Sequence, residues 1–109
     1  MTFTRACSVA DVASGSALAV AVDGTDVAVV HDGDDWYAVA DECSHAAIPL
    51  SEGDVEGCEI ECWLHGSRFD LRTGKPTGPP ATEPVAVYAV QVDGDDVLVD
   101  LTAPLNSVD

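Results

Sequence analysis

The sequence predicts an all-β protein, an antiparallel sandwich or barrel, and three observations lead to this fold class. Short apolar runs of strand length are separated by turn residues at intervals of about 8 to 12 residues, which is typical of such folds. Asp-Gly pairs stand between neighbouring runs and favour tight hairpin turns. No helical periodicity extends beyond a turn or two, so we expect no long helix.

The predicted strands fall into two blocks, one near each end of the chain. Asp23-Gly24 separates the first two strands, and Gly33 and Gly94 lie in acidic turns between later ones. In chain order we expect strands over residues 18–22, 27–30, 36–40, 85–92 and 97–101.

A segment of different composition lies between the two β blocks. Residues 41–80 contain both Cys–His pairs, most of the Gly and Pro residues and three of the four basic residues. Loops held on a rigid β scaffold are where binding sites are usually built. We therefore expect one domain over 1–109, with 41–80 inserted into a β base formed by 1–40 and 81–109.

Charge and hydropathy exclude several classes of partner. Four Lys or Arg residues stand against twenty Asp or Glu residues, giving a net charge of −16, and this charge would be repelled by nucleic-acid phosphates. No apolar run is long enough to cross a membrane, and the N-terminus has no signal-peptide pattern. We expect a cytoplasmic protein. The acidic surface fits simple solubility, steering toward a basic partner, or adaptation to salt, and composition does not choose among them.

Two short boxes carry the chemistry of a metal centre. The first is Cys43-Ser44-His45, and after sixteen intervening residues comes Cys62-Trp63-Leu64-His65. Two thiolates and two imidazoles from two loops can converge on one centre. Structural zinc sites use the same residue types, although Cys-x-His with a single intervening residue is less usual there. Mixed Cys and His ligation is also the arrangement of one class of iron–sulfur cluster.

The boxes and the residues after them resemble Rieske proteins. Cys-x-His, Cys-x-x-His-Gly with its Gly66, and a later Gly-Pro-Pro loop match that family, and the resemblance extends from about Ser16 to Leu101. It implies a Rieske 2Fe–2S cluster and a β fold whose cluster-binding subdomain has two ligand loops and a Pro-containing loop. In this resemblance the thiolates bind one iron, the imidazoles bind the other through Nδ1, and prolines cover the cluster. The implied ligands are Cys43, Cys62, His45 and His65, and the covering prolines are Pro79 and Pro80.

Two differences within the family imply a low potential. High-potential relatives carry an extra Cys in each ligand loop, where this chain has Ile48 and Leu64, so no disulfide is expected beside the cluster. Those relatives also have a Ser and a Tyr whose hydroxyls bond cluster sulfurs and raise the potential. Here Ser67 keeps the first hydroxyl, whereas Phe69 lacks the second. The remaining cysteines, Cys7 and Cys58, are expected to be free thiols.

The resemblance is to the ferredoxin components of bacterial ring-hydroxylating dioxygenase systems. It implies an electron carrier rather than an enzyme, passing single electrons from a flavoprotein reductase to a terminal non-heme iron oxygenase. We expect a monomer, with Trp63 either docking a partner or packing on the Pro loop. The carboxylates of Asp41, Glu42, Glu59 and Glu61 flank the boxes and should lower the potential. The alternatives are an accessory redox factor in iron–sulfur assembly or another pathway, and a zinc-stapled structural domain.

Overall fold

The computed structural model describes residues 3–33, 35–41, 49–61, 68–77 and 84–101. It confirms the all-β prediction: nine strands and two 3₁₀ turns of three residues each make up the regular structure of these ranges. Within them, no helix is long and apolar enough to cross a membrane. The strands are β1 Thr4–Ser8, β2 Ser16–Val22, β3 Thr25–Asp32, β4 Asp35–Ala40, β5 Val55–Glu56, β6 Glu59–Glu61, β7 Arg68–Asp70, β8 Val87–Asp93 and β9 Asp96–Asp100, and the 3₁₀ turns are Val9–Asp11 and Leu50–Glu52.

Six strands form one antiparallel sheet that curls almost closed. Their order is β1-β9-β8-β4-β3-β2, and the two outermost strands, β1 and β2, also lie against each other. The Thr4 hydroxyl at the start of β1 donates to the carboxylate of Asp23, in the turn after β2, over 3.4 Å. We call this curled sheet the base.

Strand β3 is buried on both faces and separates two apolar cores. Val27, Ala28, Val29 and Val30 are all fully buried, which explains why this strand is a continuous apolar run rather than an alternating one. Val27 and Val29 pack inside the curled sheet with residues of β1 and β9. Ala28 and Val30 pack on the other side, against the segment that follows β4.

A second sheet of three short strands, β5-β6-β7, lies over that other side. In the middle of β6 and β7, Ile60 and Phe69 are directly paired and fully buried. They pack in one core with Leu50 and Leu71 and with the β3 residues. Burial of such large apolar side chains, each contributing about 1.5–3 kcal/mol, fixes the small sheet on the base.

Candidate metal centre

All four predicted ligands lie outside the residues that the structure describes. The same is true of Trp63, Leu64, Gly66, Ser67, Pro79 and Pro80. They fall in three segments, 42–48, 62–67 and 78–83. The structure does describe the chain on both sides of each segment, and these flanking residues define where the three segments begin and end.

The first segment begins and ends at a hydrogen-bonded base. It follows β4, and the Asp41 amide donates to the carbonyl of Asp26 over 3.2 Å. The Asp41 carboxylate accepts two bonds from Ser51, one from its amide at 2.7 Å and one from its hydroxyl at 3.0 Å. A carboxylate that accepts two such bonds is a strong tie. The contact of Asp41 with Ser51 therefore ties together the two sides of the segment that carries Cys43 and His45.

The second segment connects β6 to β7 as a hairpin. Glu61 and Arg68, on either side of it, are directly paired across the two strands. Their side chains also form an ion pair, with Arg68 Nε 3.4 Å from Glu61 Oε2. The segment that carries Cys62 and His65 thus starts and ends at one cross-strand pair.

The residues that flank the third segment are hydrogen-bonded to residues that flank the other two. Before it, the amide and hydroxyl of Thr77 both donate to the carbonyl of Arg68, over 2.7 and 3.3 Å. After it, the carbonyl of Ala86 accepts a bond of 2.9 Å from the amide of Ala40, one residue before Asp41. The residues on either side of the proline segment are therefore tied to the residue after the second segment and to the strand before the first.

Gly53 joins the bases of the first and second segments. It ends the 3₁₀ turn that contains Ser51, and its amide donates to the carbonyl of Leu50 over 3.0 Å. Its α-carbon lies so close to the Glu61 backbone that a β-carbon would collide with the carbonyl oxygen of Glu61. The three segments consequently share one base, which suits a group held by ligands from two loops.

The donor set fits a Rieske cluster. Two thiols and two imidazoles supply the mixed ligation in which His replaces Cys on one iron. Elsewhere, in the part of the chain that the structure describes, no three His, Cys, Asp or Glu residues are grouped so as to hold a metal. His31 is half-buried, stacks on Trp36 with ring centroids 4.0 Å apart, and places Nδ1 3.1 Å from the Val12 carbonyl oxygen. Its role is packing.

Phe69 is the one predicted neighbour of the cluster that the structure describes. Its side chain is fully buried in the core between the sheets, and its backbone forms a bridge with Pro76. It therefore holds β7 on the base and offers no hydroxyl.

The two cysteines outside the boxes are free thiols, as predicted. Cys7 is buried inside the curled sheet, and burial raises the pKa of its thiol. Cys58 is half-buried in the turn between β5 and β6, where its Sγ lies 3.6 Å from the Tyr37 hydroxyl. Its amide donates to the Asp32 carboxylate over 3.1 Å, so this turn is also tied to the base.

The contact with Cys58 changes the pKa of the Tyr37 hydroxyl, and this change can be tested. The hydrogen bond with Cys58, followed by burial, raises the pKa of Tyr37 from 10.0 to about 12. Because the folded value is the higher one, this phenol stabilises the fold fully below pH 10 and loses that contribution as the pH rises through 12. We expect Cys58→Ala to return the pKa toward 10.0, measured by tyrosinate absorbance. Tyr37→Phe identifies the signal, and an unchanged titration in Cys58→Ala would contradict the assignment.

Comparison with known sequences identifies the family to which the chain with these two boxes belongs. Residues 2–89, which contain both boxes, match the Rieske [2Fe-2S] domain. The biphenyl dioxygenase ferredoxin subunit of Pseudomonas sp. (strain KKS102) is 45% identical over 103 residues, covering 94% of each chain.

Solved structures give the same result in three dimensions. The ferredoxin of carbazole 1,9a-dioxygenase from Nocardioides aromaticivorans IC177 superposes with a TM-score of 0.85 and 44% identity, over 91% of this chain and 97% of that one. A ferredoxin in a complex of reduced oxygenase and oxidized ferredoxin in carbazole 1,9a-dioxygenase gives a TM-score of 0.82 at 37% identity, over 89% and 91% of the chains.

The curled β base, the two Cys–His boxes in the sequence and the match to dioxygenase ferredoxins define an iron–sulfur electron-transfer protein. The chain belongs to the Rieske [2Fe-2S] domain family. Within that family it is a ferredoxin, an electron-transfer component rather than an enzyme, and its cofactor is a Rieske 2Fe–2S cluster.

Proposed function

We propose that this ferredoxin carries single electrons from a flavoprotein reductase to a terminal non-heme iron oxygenase, with Cys43, His45, Cys62 and His65 as the cluster ligands. The bound group supplies one-electron chemistry: one electron enters and later leaves, and no bond is formed or broken. The observation that carries the proposal is the shared base of the two box segments. It occurs in a chain that matches dioxygenase ferredoxins over nearly its whole length.

The chain's own residues hold the group and present it to partners. Asp41 fixes the first ligand loop through Ser51, and the Glu61–Arg68 pair fixes the second. In this proposal residues 41–80 form the cluster-binding subdomain, set into a β base of 1–40 and 81–109, and Pro79 and Pro80 cover the cluster. Hydrogen-bonded stems of this kind would help to orient the ligand side chains, as outer contacts do around bound metals.

The partners are proposed from the relatives. An oxygenase–ferredoxin complex exists for the carbazole 1,9a-dioxygenase ferredoxin, and an oxygenase of the same kind would receive electrons here. A reductase is required because a carrier must be reduced before it can donate. The net charge of −16 favours partners with basic docking surfaces, since complementary charge raises encounter rates.

The compartment is proposed from the cysteines. Free Cys7 and Cys58 suit a reducing cytoplasm.

The purified protein tests this proposal in two steps. Iron and acid-labile sulfide content, visible absorption and the EPR spectrum of the dithionite-reduced protein should identify a Rieske cluster, with the low average g value of His ligation. Mixing with a flavoprotein reductase, NADH and a ring-hydroxylating oxygenase should then give substrate hydroxylation only when the ferredoxin is present. A colourless protein with one zinc and no sulfide would overturn the ligand chemistry. A true cluster without turnover would overturn the choice of partners.

A further inference from the structure

The outer face of the small sheet carries a group of charges beside the second ligand segment. Glu59 and Glu61 on β6, and Arg68 and Asp70 on β7, alternate with the buried Ile60–Phe69 pair and so share the opposite face. Glu59 stands directly across from Asp70. Carboxylates in that position repel each other, so this face needs cations to be stable.

Two arginines form ion pairs with these carboxylates. Arg72 pairs with Asp70. Its amide donates to Asp70 Oδ1 over 2.8 Å, and its Nε lies 3.6 Å from the same oxygen. Arg68 forms ion pairs with both glutamates: its Nη1 lies 3.7 Å from Glu59 Oε1, and its Nε lies 3.4 Å from Glu61 Oε2. The Arg68 side chain is 38% exposed and that of Arg72 is 67% exposed, so solvent screens the Arg68 charge less.

Arg68 also connects residues that flank two of the three segments. It is the residue that follows segment 62–67, and its carbonyl accepts both bonds from Thr77, just before segment 78–83. In sequence it stands three residues after the proposed ligand His65. One side chain and its own backbone therefore link two loops and two carboxylates.

We propose that Arg68 is a positioning residue for electron transfer, and that its charge raises the reduction potential of the cluster against the opposing effect of Glu59 and Glu61. This inference rests on the proposed ligands. Reduction adds one electron, and hence one negative charge, to the bound group. A nearby cation stabilises that added charge, and nearby carboxylates oppose it. Of the four carboxylates that the sequence alone assigns to lowering the potential, Glu59 and Glu61 are thus paired with one arginine, which offsets part of their effect.

Redox titrations of charge variants test the inference. Arg68→Gln should lower the equilibrium constant for reduction by about three- to tenfold, where tenfold corresponds to about 59 mV for one electron. Glu61→Gln should raise it, and the double variant Arg68→Gln/Glu61→Gln should return close to wild type because its net charge is unchanged. Arg68→Lys should keep most of the wild-type potential, since it keeps the charge.

A matched control separates local charge from general charge. Arg72→Gln makes the same change of charge at the other arginine paired with these carboxylates, but farther along the chain from His65 and with greater exposure, so its shift should be smaller. Both shifts should shrink as salt is raised. A merely structural role for Arg68 would give a shift that does not depend on salt.

The outcomes distinguish this inference from the proposed function. A wild-type protein without a 2Fe–2S cluster overturns the proposed function and the inference with it. A protein with the cluster, in which Arg68→Gln and Arg72→Gln give equal shifts or none, overturns the inference alone. Should Arg68→Gln fail to fold, Glu59→Gln and Glu61→Gln must each still raise the potential, and unchanged values there would overturn it.

Discussion

Cys62→Ala is expected to abolish the cluster, taking iron and acid-labile sulfide from roughly two of each per chain to near zero. The proposed ligand set provides only two thiolates, Cys43 and Cys62, and both would bind the same iron. Alanine at position 62 would leave that iron with one protein ligand. Loss of the visible absorption band and of the EPR signal after reduction measures the effect. Cys43→Ala, His45→Ala and His65→Ala should behave in the same way.

Cys58→Ala is the matched control for this loss. Cys58 lies four residues before Cys62, in the turn that leads into β6. Its backbone has a φ of +64°, a conformation that alanine and cysteine adopt at similar cost, and its amide bond to Asp32 does not depend on the side chain. Cys7→Ala adds a second control inside the curled sheet. A Cys62→Ala protein that kept its cluster, or a Cys58→Ala protein that lost it, would refute the ligand assignment.

Parts of the fold with local signals could be predicted from the sequence. The hairpin strands β2, β3, β8 and β9 are apolar runs beside Asp-Gly or Gly-containing turns, and their positions agree with the structure to within a few residues at each end. β8 begins at Val87 rather than Val85, because Val85 uses its amide in a bond of 2.9 Å to the Gly74 carbonyl. This bond joins the strand to the site-bearing segment.

The missed strands lack a strong local signal. β1, Thr4–Ser8, pairs with β9 near the other end of the chain, and of its side chains only Cys7 is buried. The small sheet has strands of two or three residues, too short for any periodicity to stand out. A weaker signal was present: Glu59-Ile60-Glu61 and Arg68-Phe69-Asp70 both place an apolar residue between two charges, which is the alternation of a half-buried strand.

The site likewise has features that local motifs predict and features that depend on the folded chain. The four candidate ligands lie in short motifs, and the resemblance of those motifs to Rieske proteins is what assigns them to a cluster. The shared base depends instead on contacts such as Asp41 with Ser51 and Thr77 with Arg68, and these arise only when the chain is folded. The flanking carboxylates illustrate the difference. Sequence places Glu59 and Glu61 near a ligand, but only the structure pairs them with Arg68.

Gly53→Ala is expected to destabilise the protein and to make it lose its cluster several times faster than wild type. The added β-carbon would meet the carbonyl oxygen of Glu61, which is the residue before the proposed ligand Cys62. Backbone cannot rotate away as a side chain can, so the two stems must separate, and overpacking of this kind costs about 1–3 kcal/mol. Gly53 has φ −88° and ψ 174°, values that alanine adopts freely, so the effect is steric and not conformational.

Two measurements separate a local opening of the shared base from general destabilisation. Urea unfolding followed by circular dichroism gives the free energy of unfolding, and decay of the visible band with an iron chelator gives the rate of cluster loss. Glu52→Ala is the control, because it places the same side chain one position earlier in the same 3₁₀ turn, at an exposed site, and should leave both quantities near wild type. Since the junction of Gly53 with Glu61 joins the first two stems, Gly53→Ala should speed cluster loss more than a core variant of equal unfolding free energy, such as Val97→Ala inside the curled sheet. Equal rates in those two variants would mean that the shared base does not govern how the cluster is held.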